Sequence, residues 1–401
     1  MEPPSRVHVL IAGGGVAALE ATLALRELAE ERVKITLIAP DADFTYRPLA
    51  VAEPFRVGDV RRFPLGSLVE AAGAELFRGR LTSVDPDRYV VGTDEGAELS
   101  YDVLLLALGA RPRAALPGAL TFRGPEDVAA VAALLERAVV GELRSLAFAL
   151  PAGVTWPLPL YELALLTRNY LSERGSMEIA LTLVTAEESP LAIFGTRATE
   201  AMRELLETRG IALRTQSTPV SFEEGLLRLS PRGQVEAGAV VALPRLEGPK
   251  LAGIPCDREG FVPTDDHGRV GSEVDIYAAG DLTQFPLKQG GIAAQQADTA
   301  AASIAARVGA DVEVVPFRPV LRGLLLTGMT PRFLRTQVGT GESIVDTEAL
   351  WWPPAKIAGR YLTPFLAARL GLPETPPRPS AEAIAVEVKF DPHPHASSTA
   401  G

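Results

Sequence analysis

Short apolar runs alternate with amphipathic stretches along most of the chain, which is the pattern of an α/β protein. Arg6–Ala12 is a strongly apolar run, Val16–Glu30 repeats apolar residues at helical spacing, and Val33–Ala39 is again rich in β-formers. A strand, a helix and a second strand in this order predict a parallel sheet with a crossover helix.

The same alternation restarts between residues 122 and 250. It predicts strands near 144–150, 179–185 and 211–215, and helices near 158–174 and 196–209, the second of which ends at Gly210. The predicted fold class is α/β, with two Rossmann-like, dinucleotide-binding domains and a small C-terminal α+β region. The predicted divisions are 1–112 with 255–308, 113–254, 309–372, and a disordered tail over 373–401 that is rich in proline, alanine and serine.

Composition excludes several classes of function. A net charge of −11 disfavours nucleic-acid binding, because a polyanion would be repelled. One cysteine and four histidines leave no disulfide framework, and we predict no metal site. The chain has no apolar run of about 18 residues and begins without a secretory signal, so we expect a cytoplasmic protein that does not span a membrane.

Two distant segments carry the main functional signal. Gly13, Gly15 and Ala18 follow the first strand at the spacing that lets a helix N-terminus bind a pyrophosphate. The segment Asp275–Asp281 predicts a strand that delivers Asp281 after a glycine, where its carboxylate would bind hydroxyls of a ribityl chain. Together they predict FAD.

One element of the dinucleotide pattern is absent. The second strand ends in Ala39 where an acidic residue normally binds the ribose, and Asp41 is the candidate substitute. Further on, a helix starting near Gln289 would point its amides at the pyrimidine end of a flavin. Lys288 would add a positive charge there; the alternative is a solvated surface lysine.

The order of these motifs resembles the FAD-dependent pyridine nucleotide-disulfide oxidoreductase superfamily. The resemblance is to the branch of sulfide:quinone reductase, flavocytochrome c sulfide dehydrogenase and type II NADH dehydrogenase. It is carried by Gly13–Ala18, Tyr46–Pro48, Leu105–Gly109, Pro151–Glu162, Tyr277–Asp281 and Lys288–Gln296. The motifs and the resemblance together give the candidate FAD-binding residues: Gly13, Gly14, Gly15, Val16, Ala17, Ala18, Asp41, Arg47, Pro48, Leu81, Gly109, Gly280, Asp281, Lys288, Gln289 and Ile292.

The chain departs from that branch in its second domain. The turn Ala149–Glu162 has one glycine and three prolines, so it lacks amides for the pyrophosphate of NADH. The resemblance implies a redox disulfide, yet Trp156 and Val262 stand where its two cysteines belong. Sulfide oxidation by that route is therefore excluded. We predict that Cys256 is a small buried or partly exposed filler rather than a reactive thiol.

Two candidate catalytic residues join Lys288, each with an alternative. Trp156 is either core packing or a wall beside the flavin. Glu162 is either a proton relay or a helix-start carboxylate that interacts with the helix dipole.

The C-terminal region is basic, with seven Lys or Arg against three Asp or Glu over 317–372. The segment Trp351–Leu366 interleaves bulky apolar residues with cations. This pattern is typical of peripheral insertion into a membrane surface, or of an interface within the chain or a homodimer.

The predicted function is an FAD-dependent oxidoreductase that passes electrons through a non-covalent flavin to a quinone or other acceptor. The sequence leaves the donor, a small molecule, unknown and disfavours sulfide by way of a disulfide. The alternatives are an NAD(P)H dehydrogenase with an atypical nicotinamide site and a flavin-binding or assembly module with little turnover.

Overall fold

The computed structural model describes residues 6–337 and 343–373. The strands in these residues, in chain order, are β1 (Val7–Ala12), β2 (Val33–Ala39), β3 (Asp43–Tyr46), β4 (Arg61–Pro64), β5 (Glu75–Arg78), β6 (Leu81–Asp85), β7 (Val90–Thr93), β8 (Glu98–Ser100), β9 (Val103–Leu106), β10 (Arg111–Arg113), β11 (Leu120–Thr121), β12 (Ser145–Ala149), β13 (Ala180–Val184), β14 (Ile211–Arg214), β15 (Thr218–Glu223), β16 (Leu226–Ser230), β17 (Gln234–Glu236), β18 (Ala239–Ala242), β19 (Arg245–Glu247), β20 (Ile276–Ala278), β21 (Val320–Leu325), β22 (Arg332–Gln337) and β23 (Ser343–Asp346). The α-helices are α1 (Val16–Ala29), α2 (Leu65–Ala71), α3 (Val128–Val139), α4 (Leu158–Glu173), α5 (Thr196–Thr208), α6 (Gly290–Arg307) and α7 (Leu362–Arg369).

The first parallel sheet joins the two ends of the predicted FAD-binding domain. Its strand order is β20-β9-β1-β2-β5. Both faces of β1 are covered, because α1 and α6 pack on one face and the β6–β8 meander on the other. This explains why Val9–Ala12 is apolar without alternation and fully buried.

A second five-stranded parallel sheet has the order β11-β18-β12-β13-β14. Helices α3, α4 and α5 cover one face, and residues of the β15–β17 meander pack on the other. The predicted α/β fold class is thus confirmed. The sequence pattern predicts neither α3 nor this meander, because the short strands of the meander contain no long apolar run. The exact domain boundaries stay a prediction.

The C-terminal region consists of the antiparallel sheet β21-β22-β23 and the short helix α7. The apolar side chains of Ile357, Leu362 and Leu366 are buried in the core shared with the first sheet, so the chain itself covers this part of the Trp351–Leu366 segment. Apart from Pro373, the predicted tail over 373–401 lies outside the described residues. Among the described residues, no helix combines the length and apolarity needed to cross a bilayer.

Candidate functional site

The glycine turn forms an open helix N-terminus. Gly13 has a φ of +136°, and a Cβ there would lie 2.2 Å from the carbonyl oxygen of Ala107, so only glycine fits. Gly15 precedes α1 with a φ of −93°, and a Cβ at this position would have no atom within 4 Å. No side chain caps α1. The free amides beside open space fit the pyrophosphate of FAD.

The loop after β20 brings Asp281 to this turn. Gly280 has a φ of +83°, and its Cβ position is 3.2 Å from the Cβ of Ala17, so the loop touches the first turn of α1. The amide of Gly280 donates to Oε1 of Gln296 at 2.8 Å, which anchors the loop to α6. The two motifs that are distant in the sequence are therefore adjacent in the fold.

Lys288 is held in place beside Asp281. Its Nζ donates to the carbonyl of Thr283 and lies 3.8 Å from the centroid of the Phe261 ring. Burial raises the pKa of Asp281 to about 6, with the charge of Lys288 opposing the shift. Burial lowers the pKa of Lys288 to about 8, opposed by Asp281 and by two further carboxylates. The alternative of a solvated surface lysine is therefore wrong.

A cavity of about 560 Å³ opens where the three regions of the chain meet. The predicted site residues that line it are Arg47, Pro48, Trp156, Glu162, Asp281, Lys288 and Gln289. Its apolar wall includes Phe122, Leu158, Leu243, Phe261, Leu324 and Ile357. The sequence pattern does not mark most of them as site residues, because they are ordinary core residue types. The mixture of an apolar wall and a few charged groups is typical of a ligand site.

The other predicted FAD-binding residues lie outside the lining of this cavity. Asp41 is exposed, and its carbonyl accepts a hydrogen bond from Arg78 at the end of β5. Leu81 is buried in the core beneath the first sheet. Gly109 has a φ of +68° with open space at its Cβ position. The amide of Ile292 donates to the side chain of Gln289, which caps α6. Their contacts with FAD remain predictions.

Glu162 forms a buried ion pair with Lys356. Nζ of Lys356 lies 2.6 and 2.7 Å from the two carboxylate oxygens. The side chain of Glu162 is 1% exposed and that of Lys356 is 7% exposed. The amide of Leu326 donates to Oε1 of Glu162 at 2.8 Å. Burial raises the pKa of Glu162, and the charge of Lys356 opposes this shift. The helix-dipole interpretation of Glu162 is therefore wrong, since its carboxylate binds a cation from the C-terminal region.

The start of α4 offers few free amides. Pro157 and Pro159 have no N–H, while the amides of Leu160 and Val154 donate to Pro157 and Pro151. Trp156 is half-buried, with its ring centroid 5.7 Å from that of Phe194, and it also lines the cavity. Trp156 therefore packs in the core and also faces the cavity, and its role as a wall beside the flavin stays a prediction.

A second obstacle to a nucleotide lies after β13, where such folds place the carboxylate that binds a ribose. Oε2 of Glu187 there accepts hydrogen bonds from the hydroxyl of Tyr161 at 2.7 Å and from that of Thr185 at 3.0 Å. Burial raises the pKa of Glu187, opposed by the hydrogen bond from Tyr161. One oxygen of this carboxylate is therefore already bound by the chain's own side chains.

Cys256 is exposed, so the expectation of a buried or partly exposed filler is wrong. It follows Pro255 in the irregular segment after β19, where no apolar pattern predicts burial or exposure. Among the described residues, no cluster of histidine, cysteine and carboxylate side chains has the arrangement of a metal site.

Comparison with known proteins places the chain among flavin-dependent oxidoreductases. The family model of the pyridine nucleotide-disulphide oxidoreductases matches residues 7–303. The chlorobenzene dioxygenase ferredoxin reductase component of Cupriavidus sp. (strain PS12) is 26% identical over 305 residues, 71% of this chain and 69% of that protein. The sulfide-quinone reductase of Aquifex aeolicus is 30% identical over 218 residues, but these are 50% of this chain and 47% of that enzyme.

Solved structures share the fold. The sulfide:quinone oxidoreductase from Aquifex aeolicus superposes with a TM-score of 0.79 at 20% identity, covering 85% of this chain and 87% of that one. NDH2 from Plasmodium falciparum in complex with NADH superposes with a TM-score of 0.69 at 12% identity, covering 92% and 95%. At these identities the likeness shows the fold alone.

Proposed function

Since this chain belongs to the pyridine nucleotide-disulphide oxidoreductase family, whose members bind FAD, we propose that it passes electrons from a donor other than NAD(P)H to a quinone or another apolar acceptor. FAD, when bound, accepts two electrons at its isoalloxazine ring and passes them on. The observation that carries the proposal is the apolar cavity that adjoins Asp281 and contains two ionisable pairs.

The residues of the cavity suit this chemistry. Trp156, Phe261 and Ile357 exclude water from much of the wall, which strengthens electrostatic interactions inside. Lys288 places a positive charge at the wall near neutral pH, since its pKa of about 8 lies above 7. Glu162, whose pKa is raised by burial and whose carboxylate is held by Lys356, is the residue best placed to hold and release a proton.

The second domain supports a donor other than NAD(P)H. In this fold a nicotinamide dinucleotide is bound by free amides at the start of α4, and NAD also by a carboxylate after β13. Here two prolines occupy the helix start, and Glu187 is bound by Tyr161 and Thr185. A nucleotide would have to break these contacts without gaining the usual hydrogen bonds.

An NAD(P)H dehydrogenase is the second candidate. It is favoured by relatives that include the ferredoxin–NAD(+) reductase subunit of the benzene 1,2-dioxygenase system of Pseudomonas putida, 27% identical over 305 residues. A flavin-binding module with little turnover is the third, favoured by the replacement of both expected cysteines by Trp156 and Val262.

Anaerobic mixing with reduced nicotinamides distinguishes the candidates. We expect NADH and NADPH to leave the visible absorbance of the bound flavin unchanged, while dithionite bleaches it. Rapid bleaching by either nucleotide would establish the second candidate instead. A colourless preparation that FAD cannot reconstitute would support the third.

A further inference from the structure

Two carboxyl groups, which the proposed function does not use, meet between the helices that flank the first sheet. Glu20 lies in α1 and is fully buried, and Asp298 lies in the facing helix α6. Each carboxyl group acts on the pKa of the other: Glu20 raises the pKa of Asp298, and Asp298 lowers that of Glu20. Oδ1 of Asp298 is buried and has no hydrogen-bond partner within the described part of the chain. Two ionised carboxylates would repel each other here, so the contact requires a proton on one of them.

Glu20 also holds the start of α7. Its Oε1 accepts a hydrogen bond from the amide of Tyr361 at 2.8 Å, and its Oε2 accepts one from Leu362 at 2.7 Å. The approach is close, since a Cβ on Gly359 would lie 2.5 Å from Oε2. A carboxylate that binds two amides at a helix N-terminus is stabilised in its ionised form, so Asp298 is the partner that keeps the proton.

The segment that Glu20 holds is the one that carries Lys356 to the cavity. Lys356 lies a few residues before Tyr361, whose amide Glu20 binds, and Nζ of Lys356 contacts Glu162 on α4. Between them, the amide of Ile357 donates to the hydroxyl of Tyr46 and Thr363 donates to the carbonyl of Ile357. Besides the Lys356–Glu162 pair, Glu20 provides an ionisable anchor of this segment, while the other two contacts are neutral.

We propose that Glu20 and Asp298 are positioning residues that share one proton, and that this proton keeps Lys356 in place at the cavity. When the proton leaves, two buried carboxylates face each other and the segment from Lys356 to Leu362 is released more readily. The coupling runs through the backbone of this segment and does not depend on the identity of the electron donor or acceptor.

The surrounding charges set the direction of the pH dependence. Burial, together with Glu20, raises the pKa of Asp298 to about 8, and Arg360 opposes the shift. Burial also raises the pKa of Glu20, opposed by the amides of Tyr361 and Leu362. Glu27 and Arg360 are the other charged groups near Tyr361. The closed segment therefore binds a proton that the open one releases. Its stability is greatest at low pH and declines as pH rises, levelling off above about 8.

Hydrogen–deuterium exchange of the FAD-loaded protein tests this proposal. We expect the protection of peptides covering 356–366, corrected for intrinsic exchange, to fall by up to about tenfold per pH unit between pH 6 and pH 8. It should then level off by pH 9. In Asp298→Asn, which keeps a hydrogen-bond donor but cannot ionise, the fall in protection between pH 6 and pH 8 should be much smaller.

Glu27→Gln is the matched control, because Glu27 lies on α1 with Glu20 and is near Tyr361, but its side chain is exposed. It should retain the pH dependence of the wild-type chain. The proposal is overturned if the wild-type profile is flat, or if Asp298→Asn retains the wild-type profile. If Asp298→Asn fails to fold, the wild-type profile alone still decides. The measurement needs no electron transfer, so its failure is distinguishable from failure of the proposed function.

Discussion

Lys356→Met is expected to lower the free energy of unfolding by about 3–5 kcal/mol at neutral pH. Methionine fills a similar volume, but the buried carboxylate of Glu162 loses its cation and, among the described residues, keeps the amide of Leu326 as its hydrogen-bond donor. The loss should be larger at pH 8 than at pH 5, because a buried carboxyl whose pKa is raised can be protonated at lower pH. Urea unfolding at several pH values measures both effects.

Two further variants control this result. In Glu162→Gln combined with Lys356→Met, no buried charge is left unpaired, so we expect most of the lost stability to return. Lys34→Met removes an exposed partner of Glu75 and should cost less than about 1 kcal/mol. If Lys356→Met were as stable as the wild-type chain, the buried Lys356–Glu162 pair would not stabilise the fold. The same holds if the double variant were no more stable than the single one.

Gly15→Ala is expected to weaken FAD binding by about ten- to a hundredfold while leaving the stability of the apoprotein nearly unchanged. The φ of −93° suits alanine and the Cβ position is empty, so the fold has no reason to change. With FAD bound, the same space would be needed for the close approach of the pyrophosphate to the amides of α1. Loss of one charge-assisted hydrogen bond costs about 1.5–3 kcal/mol, which gives this range of affinity.

Gly66→Ala is the matched control for that variant. Gly66 lies in α2, and its Cβ position has only ordinary contact with Leu76 at 4.0 Å. It should bind FAD as the wild-type chain does. Isothermal titration of the apoproteins with FAD, together with thermal unfolding, makes the comparison. Equal affinity of Gly15→Ala and the wild-type chain would argue against a phosphate at this turn.

The parts of the fold that follow from local patterns could be predicted from the sequence. β2 has the predicted bounds, and β1 and α1 differ from theirs by one residue, because a continuous apolar run and a helical repeat each report burial directly. The adjacency of Gly13–Ala18 and Gly280–Asp281 also followed, since parallel strands end at one edge of the sheet. The apolar run Tyr101–Leu108 forms only the short strand β9, since its last residues turn toward the next domain.

Other parts depend on contacts that no local pattern encodes. Lys356 and Glu162 are 194 residues apart, and each taken alone resembles an ordinary surface residue. Glu20 lies within a helical repeat at a position that looks like a tolerated polar residue, yet its carboxylate caps α7. The strands of the β15–β17 meander are short and contain many polar residues, so periodicity alone does not distinguish them from turns.

Reoxidation of the dithionite-reduced, FAD-loaded protein by a water-soluble quinone tests whether the cavity binds the electron acceptor. If the cavity binds the acceptor beside the flavin, the observed rate should saturate with quinone concentration, and Trp156→Ala should change the concentration at half-saturation. A rate that rises linearly with quinone concentration and is unaffected by Trp156→Ala would show that the acceptor does not bind in this cavity.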